Sequence, residues 1–173
     1  WLVNSGLAYR LHLVNNPQLP LSGMADSTYF KVYMSDVGLL RRKSNLNYRT
    51  ILEGDSNFVH FKGALTENYV MTQLMSMSIN CYFWRTKSDA EVDFITDYEG
   101  LLIPIEVKSA DNTKAKSLNV FCKRYNPEIA FRISLKNVGE SWTDKTHKWS
   151  IPLYCIFRIK DYILHEKGWD NDI

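Results

Sequence analysis

Residues 91–108 read EVDFITDYEGLLIPIEVK. Two apolar-alternating runs, EVDFIT and LLIPIEVK, flank DYEG, a tetrad of turn residues. Runs joined by so short a turn become antiparallel neighbours. Along a strand, residues i and i+2 share a face. Val92 and Phe94 therefore take one face of the first run, and Glu91, Asp93 and Ile95 the other. In the second run Ile103, Ile105 and Val107 oppose Pro104, Glu106 and Lys108. Pairing across the turn brings Asp93 to the face of Glu106 and Lys108, so two carboxylates and an ammonium converge in a sheet.

Outward from this hairpin the chain alternates helix and strand. Upstream, KGALTENYVMTQLMSMS (62–78) carries Leu65, Tyr69, Leu74 and Met75 at helical spacing, with Asn80 as its stop. CYFWRT is a short aromatic strand, and KSDA turns into the hairpin. Downstream, SADNTKAKSLNVFCKRY is a second helix, capped at Asp111, Asn112 or Thr113, with Leu118, Phe121, Cys122 and Tyr125 as its apolar stripe. EIAFRISL is a fourth strand and NVGESWTDKTHKWS a loop. IPLYCIFRI is the last strand, with Pro152 at its start. From residue 61 the order is helix, three strands, helix, strand and one further strand, an α/β arrangement around a mixed sheet.

Ahead of it, WLVNSGL reads as a helix end with Gly6 near the C-cap. AYRLHLV and YFKVYMS are strands, and Asp36 opens a short helix. This suits the tail of a winged-helix module. The expected division is a partial winged-helix segment at 1–45, a polar connector at 46–60 and the α/β domain at 61–173.

The bulk numbers fit one ordinary domain of 173 residues, with 45% hydrophobic and 23% charged residues. A net charge of +2 points to no partner by itself. Cys81, Cys122 and Cys155 are scattered and odd in number, which favours buried thiols in a reducing compartment, hence the cytoplasm, over a zinc or disulfide framework. No apolar run reaches eighteen residues, so no membrane partner is expected. No glycine lies in a G-x-x-x-x-G-K-[ST] loop, so no P-loop ATP site is expected. The chain opens without Met and reads as a piece of a longer protein.

Carboxylates are the preferred ligands of hard cations, and a bound Mg²⁺ acidifies its water and offsets charge on a phosphate. A lysine beside it orients or deprotonates that water and stabilises the transition state. Asp93, Glu106 and Lys108 are thus a sensible set for phosphodiester hydrolysis. A plainer reading stands beside it, in which both acids pair with Lys108 and Arg85 on a solvated sheet face.

The pattern resembles the PD-(D/E)xK nuclease superfamily, whose core is αβββαβ, the restriction-endonuclease-like fold. The matching residues are Glu67 on the first helix, Asp93 on the second strand and Glu106-Val107-Lys108 on the third. The resemblance implies Asp93 and Glu106 as ligands of Mg²⁺ or Mn²⁺, Lys108 as the catalytic lysine and Glu67 as a further ligand or water-holder. Val92 stands where the superfamily's variable proline would precede Asp93. The blocks KVYMSDVGLL, FKGALTENYVMTQL, YFWRTKSDAEVDFI and LIPIEVKSADNTKAKSL also resemble an uncharacterised C-terminal domain of prokaryotic AAA-type ATPases. That implies a partner module, an N-terminal ATPase in the parent chain.

Arg85 and Lys87, beside the hairpin, are candidate nucleic-acid contacts, as is the basic helix carrying Lys114, Lys116, Lys123 and Arg124. A closing arginine, a solvated turn and a solvated helix face are their plainer readings. The leading expectation is a metal-dependent nuclease domain acting on DNA. Its rival is a catalytically silent domain that binds nucleic acid or protein for the ATPase. The tryptophans read as packing residues.

Overall fold

The structure is a computed structural model and describes residues 1–45, 56–87, 90–109 and 116–168. It is a mixed α/β protein built on one eight-stranded sheet, with four helices among the described residues. The strands are β1 (Ala8–Leu13), β2 (Asp26–Met34), β3 (Cys81–Arg85), β4 (Glu91–Tyr98), β5 (Leu101–Val107), β6 (Ile129–Ser134), β7 (Gly139–Thr143) and β8 (Thr146–Pro152). The helices are α1 (Val37–Lys43), α2 (Ser56–Ser76), α3 (Lys116–Tyr125) and α4 (Ile159–Glu166). Across the sheet the order is β2-β1-β3-β4-β5-β6-β8-β7. Neighbours β1–β3, β5–β6 and β6–β8 are parallel and the rest antiparallel.

The opening hairpin forms as its pattern predicts. Tyr98 pairs with Leu101, and the two residues between them, Glu99 (φ 52°) and Gly100 (φ 73°), both have positive φ. A two-residue turn of this hand matches the twist of the strands it joins. Ile103, Ile105, Val107 and Phe94 enter the larger core with Val70, Met71 and Leu74 of α2. Val92 and Ile95 enter a smaller core with Trp84 and Phe121 of α3.

That split breaks the expected alternation along β4. Tyr82 pairs with Ile95 but Trp84 with Val92, so Asp93 and Phe94 together oppose the single residue Phe83. This is a β-bulge, which re-aims side chains where it falls. It falls on Asp93.

The C-terminal end of α2 and the N-terminal turn share one device. Ser78 (φ 57°) follows α2, with Ile79 N–H donating to Leu74 O and Ser78 N–H to Met75 O. Gly6 (φ 72°) sits likewise, with Leu7 N–H on Leu2 O and Gly6 N–H on Val3 O. Both are Schellman-type ends. The Gly6 reading is therefore met by a turn, while the stop of α2 is Ser78 and not Asn80. Asp36 caps α1, accepting from Leu39 N–H at 2.8 Å.

Three further expectations change. The polar stretch taken as a connector to residue 60 becomes helix from Ser56, because α2 begins there. The stretch taken as loop is the β7–β8 hairpin, turning at Asp144 (φ 51°) and Lys145. Pro152 ends β8 instead of opening a strand; Leu153–Arg158 then form a 3-10 turn leading into α4. His147 Nδ1 lies 2.5 Å from Glu166 Oε1, and Trp149 Nε1–H donates to the same oxygen at 2.9 Å, tying α4 to β8. The proposed caps at 111–113, together with Ser88, Lys114 and Trp169, lie outside the described residues.

The first 45 residues supply β1 and β2 to the common sheet. Leu13 pairs with Phe83, and Val14 N–H donates to Phe83 O at 2.8 Å. Leu11, Leu13 and Tyr33 lie in the larger core. Among the described residues no helix is long and apolar enough to cross a membrane. The cysteines are free; Cys81 and Cys122 are buried and Cys155 is half-buried. Burial pushes the Cys122 thiol up to about 11.

Candidate functional site

The β4–β5 ladder ends at Phe94 and Ile105. One residue further the same register sets Asp93 opposite Glu106. Here the backbone rung is replaced: Val107 N–H donates to Asp93 Oδ2 at 2.7 Å. The bulge on β4 leaves Asp93 turned toward β5, where a carboxylate does the work of a carbonyl. Two acids from neighbouring strands thus meet where the strands part.

Glu106 is 3% exposed. Its Oε1 accepts from Lys108 Nζ at 2.5 Å. Its Oε2 is buried with no hydrogen-bond partner, alone in this among the described residues. An unsatisfied buried carboxylate oxygen is costly. The solvated-face reading of Glu106 therefore fails, because this acid is inside the protein.

Glu67 arrives from α2. Asn68, 2% exposed, clamps both backbone groups of Met34: its Oδ1 accepts from Met34 N–H at 2.8 Å and its Nδ2–H donates to Met34 O at 2.9 Å. That clamp fixes α2 against β2, and Tyr33 Oη–H then donates to Glu67 Oε2 at 3.2 Å. Burial, and next the Glu67 charge, push the Tyr33 phenol far up, so it stays a donor.

The electrostatics show that these groups share one neighbourhood. Burial first, then the charges of Glu106 and Glu67, hold Asp93 well above the ordinary carboxylate range. Burial also raises Glu106, with the Lys108 bond opposing and Glu67 and Glu91 reinforcing. Burial works against the Lys108 ammonium, but the bond to Glu106 and the charges of Glu106, Asp93 and Glu67 outweigh it and raise its pKa. Lys108 is accordingly a fixed cation at neutral pH, suited to orienting and stabilising charge and not to taking up a proton.

Lys31 was not singled out in the sequence. It pairs with Glu91, lies 5.0 Å from the centre of the Phe83 ring and lowers the pKa of Asp93. The signal was available in β2, where Lys31 and Tyr33 share a face by alternation. What the sequence did not disclose is that β2 lies near enough to matter. Arg85, exposed at the end of β3, lies 3.9 Å from Glu91 Oε2, and its Nη1 donates to Tyr29 Oη at 3.4 Å. Its exposure places it at the rim. Lys87 is exposed in the turn after β3.

Among the described residues no three His, Cys, Asp or Glu side chains form a ready metal set. The donors that fit a divalent ion are the carboxylates of Asp93 and Glu106, the second with an oxygen to spare. Hard ions such as Mg²⁺ are commonly held by one or two carboxylates with water completing the shell.

Two proteins of known sequence are similar over 80 residues at 34% identity: uncharacterized proteins of Mycobacterium bovis and of Mycobacterium tuberculosis. The similar stretch is 45% of this chain and only 17% of either relative. No solved structure matches. Residues 62–156, which hold most of α2 and every strand from β3 to β8, match the family described as a domain of unknown function, DUF4143. The chain belongs to that family.

Proposed function

We propose that this is a nuclease-like domain of the PD-(D/E)xK type, carried by an ATPase, that hydrolyses phosphodiester bonds with a divalent ion. The observation that carries the reading is the buried, unpartnered Glu106 Oε2 beside Asp93. The order α2, β3, β4, β5, α3, β6, with β5 and β6 parallel, supports the restriction-endonuclease-like core. The greater length of the relatives supports a place within a longer chain.

Asp93 and Glu106 would hold Mg²⁺ or Mn²⁺, with Glu67 near enough to bind water. Two acids whose pKa values are raised by burial and by neighbouring carboxylates gain from a cation between them. When bound, such an ion supplies a water of lowered pKa and offsets charge on the phosphate. The chain's own residues do the rest. Lys108 keeps a positive charge where negative charge grows on the phosphate. Tyr33 orients the Glu67 carboxylate. The Val107 amide holds Asp93 in place.

The test is calorimetric titration with Mn²⁺ and cleavage of plasmid, linear and single-stranded DNA. Wild type binds and cleaves, and Asp93→Ala loses activity by ~10²-fold or more. If both proteins neither bind metal nor cut, hydrolysis is ruled out.

One observation favours a second reading. The Lys108–Glu106 contact at 2.5 Å occupies an oxygen that the ion would otherwise use. A domain that binds nucleic acid or protein for the ATPase without hydrolysis would keep that lock, and it predicts no Mn²⁺ heat in the same titration.

A further inference from the structure

Strand β2 turns one face toward the candidate site. Tyr29, Lys31 and Tyr33 share that face by alternation, and each is tied to a different element. Tyr33 Oη–H donates to Glu67 of α2 at 3.2 Å. Lys31 Nζ donates to Glu91 of β4. Tyr29 Oη accepts from Arg85 Nη1 of β3 at 3.4 Å. Both outer side chains lie against the buried Phe83, with the Tyr29 ring centre 6.1 Å and Lys31 Nζ 5.0 Å from the centre of its ring. Tyr33 is buried, Lys31 half-buried and Tyr29 48% exposed. The row therefore runs from Glu67 out to solvent. It lies wholly outside residues 62–156, so the part of the chain that matches the family lacks this wall.

The two lysines of the site are held differently. Lys108 is pinned to Glu106, whose side chain is 3% exposed, whereas the partner of Lys31, Glu91, is 30% exposed. An ion pair that water reaches is worth little and gives way to another anion at small cost. Glu91 Oε2 also lies 3.9 Å from Arg85 Nε, so this acid keeps a cation beside it when Lys31 turns elsewhere. The Lys31 charge lowers the pKa of Asp93, so it acts within electrostatic reach of that carboxylate. Beside it on the strand, Tyr29 offers an aromatic ring that is half open to solvent. Bases stack on aromatic side chains when they are free of a duplex, and such platforms beside cations are the mark of single-strand recognition. Residues i and i+2 of a strand lie about 7 Å apart, close enough for a phosphate and the neighbouring base of one strand to meet both side chains.

We infer that Lys31 exchanges Glu91 for a phosphate of the substrate and that Tyr29 stacks on the base beside it, so that the site takes an unpaired nucleic-acid strand. The choice of a nucleic acid rests on the nuclease reading; the wall itself rests on the face of β2 and its ties to α2, β3 and β4. Lys31 and Tyr29 hold and position the strand and take no part in the bond-breaking step.

The experiment measures binding of fluorescein-labelled oligothymidylate, oligouridylate and a DNA duplex by anisotropy across a salt series, without divalent ion. It compares wild type with Lys31→Gln, Tyr29→Leu, Tyr29→Phe and the control Lys145→Gln in the β7–β8 turn, each checked by circular dichroism. Wild type binds a single strand more tightly than the duplex, and the tighter of the two single strands names the sugar. Lys31→Gln weakens that binding roughly tenfold and lowers the salt slope by about 0.7. Tyr29→Leu weakens it roughly tenfold at an unchanged salt slope, Tyr29→Phe restores it, and the control does nothing. Should one of Lys31→Gln and Tyr29→Leu fail to fold, the other decides. Wild-type affinity in either folded variant, a duplex bound as tightly as both single strands, or a wild type that binds none of the three overturns the inference. If the protein nevertheless binds Mn²⁺ and cuts, the nuclease reading stands without it. Loss of strand binding in both variants of a protein that never cuts supports the inference and removes hydrolysis.

Discussion

Asp93 shows what single residues add. Its carboxyl is raised by burial and by its acidic neighbours. An acid with a folded pKa above its unfolded one binds more protons when folded, so stability falls as pH rises from the ordinary value of 3.8 toward the raised one. Asp93→Asn keeps an acceptor for the Val107 amide and removes the charge. It should therefore raise the thermal midpoint at pH 7 by a few degrees and flatten the fall from pH 4 to 7. Mn²⁺ should stabilise wild type and not the variant, because only a ligand of the folded state shifts the midpoint. Melting scans over pH, with and without Mn²⁺, check both. The pairing of Asp93 with Glu106 and Lys108 was legible from alternation and turn length. The bulge that aims Asp93 was not, since nothing in EVDFI marks two residues as opposing one. Nor was the orphaned oxygen, which depends on everything packed above Glu106. Lys31 and Tyr33 come from residues sixty positions away in the chain, beyond the reach of local pattern.

At the level of elements, chain pattern tracked one-sided burial. Helix α2 and strands β3 to β6 were readable because their apolar residues recur at the right period. The β7–β8 hairpin was missed because its edge strand is mostly exposed, so GESWT carries no apolar alternation. Pro152 was placed at a strand start on its missing N–H, yet a strand end serves equally well. The DYEG turn offers a sharp test. Gly100 has φ 73°, and a Cβ there would meet nothing within 4 Å. Gly100→Ala should thus cost about 1 kcal/mol through backbone strain alone, whereas Glu99→Asn, better suited to its positive φ, should be neutral or stabilising. Urea unfolding midpoints of both variants measure this.

For the molecule as a whole, the sheet does not stop at β3. Leu11, Leu13 and Tyr33 belong to the larger core, and Tyr33 and Lys31 reach the candidate site from β2. A chain truncated to begin at Ser56 should lose cooperative unfolding and Mn²⁺ binding together, seen as a broadened melt and a collapsed amide spectrum. A truncated chain that melts sharply and binds like the full one would show that β1 and β2 are dispensable. The two strands were visible in the sequence, but their destination was not, because the β1–β3 junction rests on one register pair, Leu13 with Phe83. The Val107 amide, finally, donates to a side chain where its strand neighbours donate to carbonyls. Its proton therefore reports on the charge of Asp93 directly. Its resonance and exchange rate give the protein a built-in spectroscopic probe at the candidate site, one that needs no label and no knowledge of the ligand.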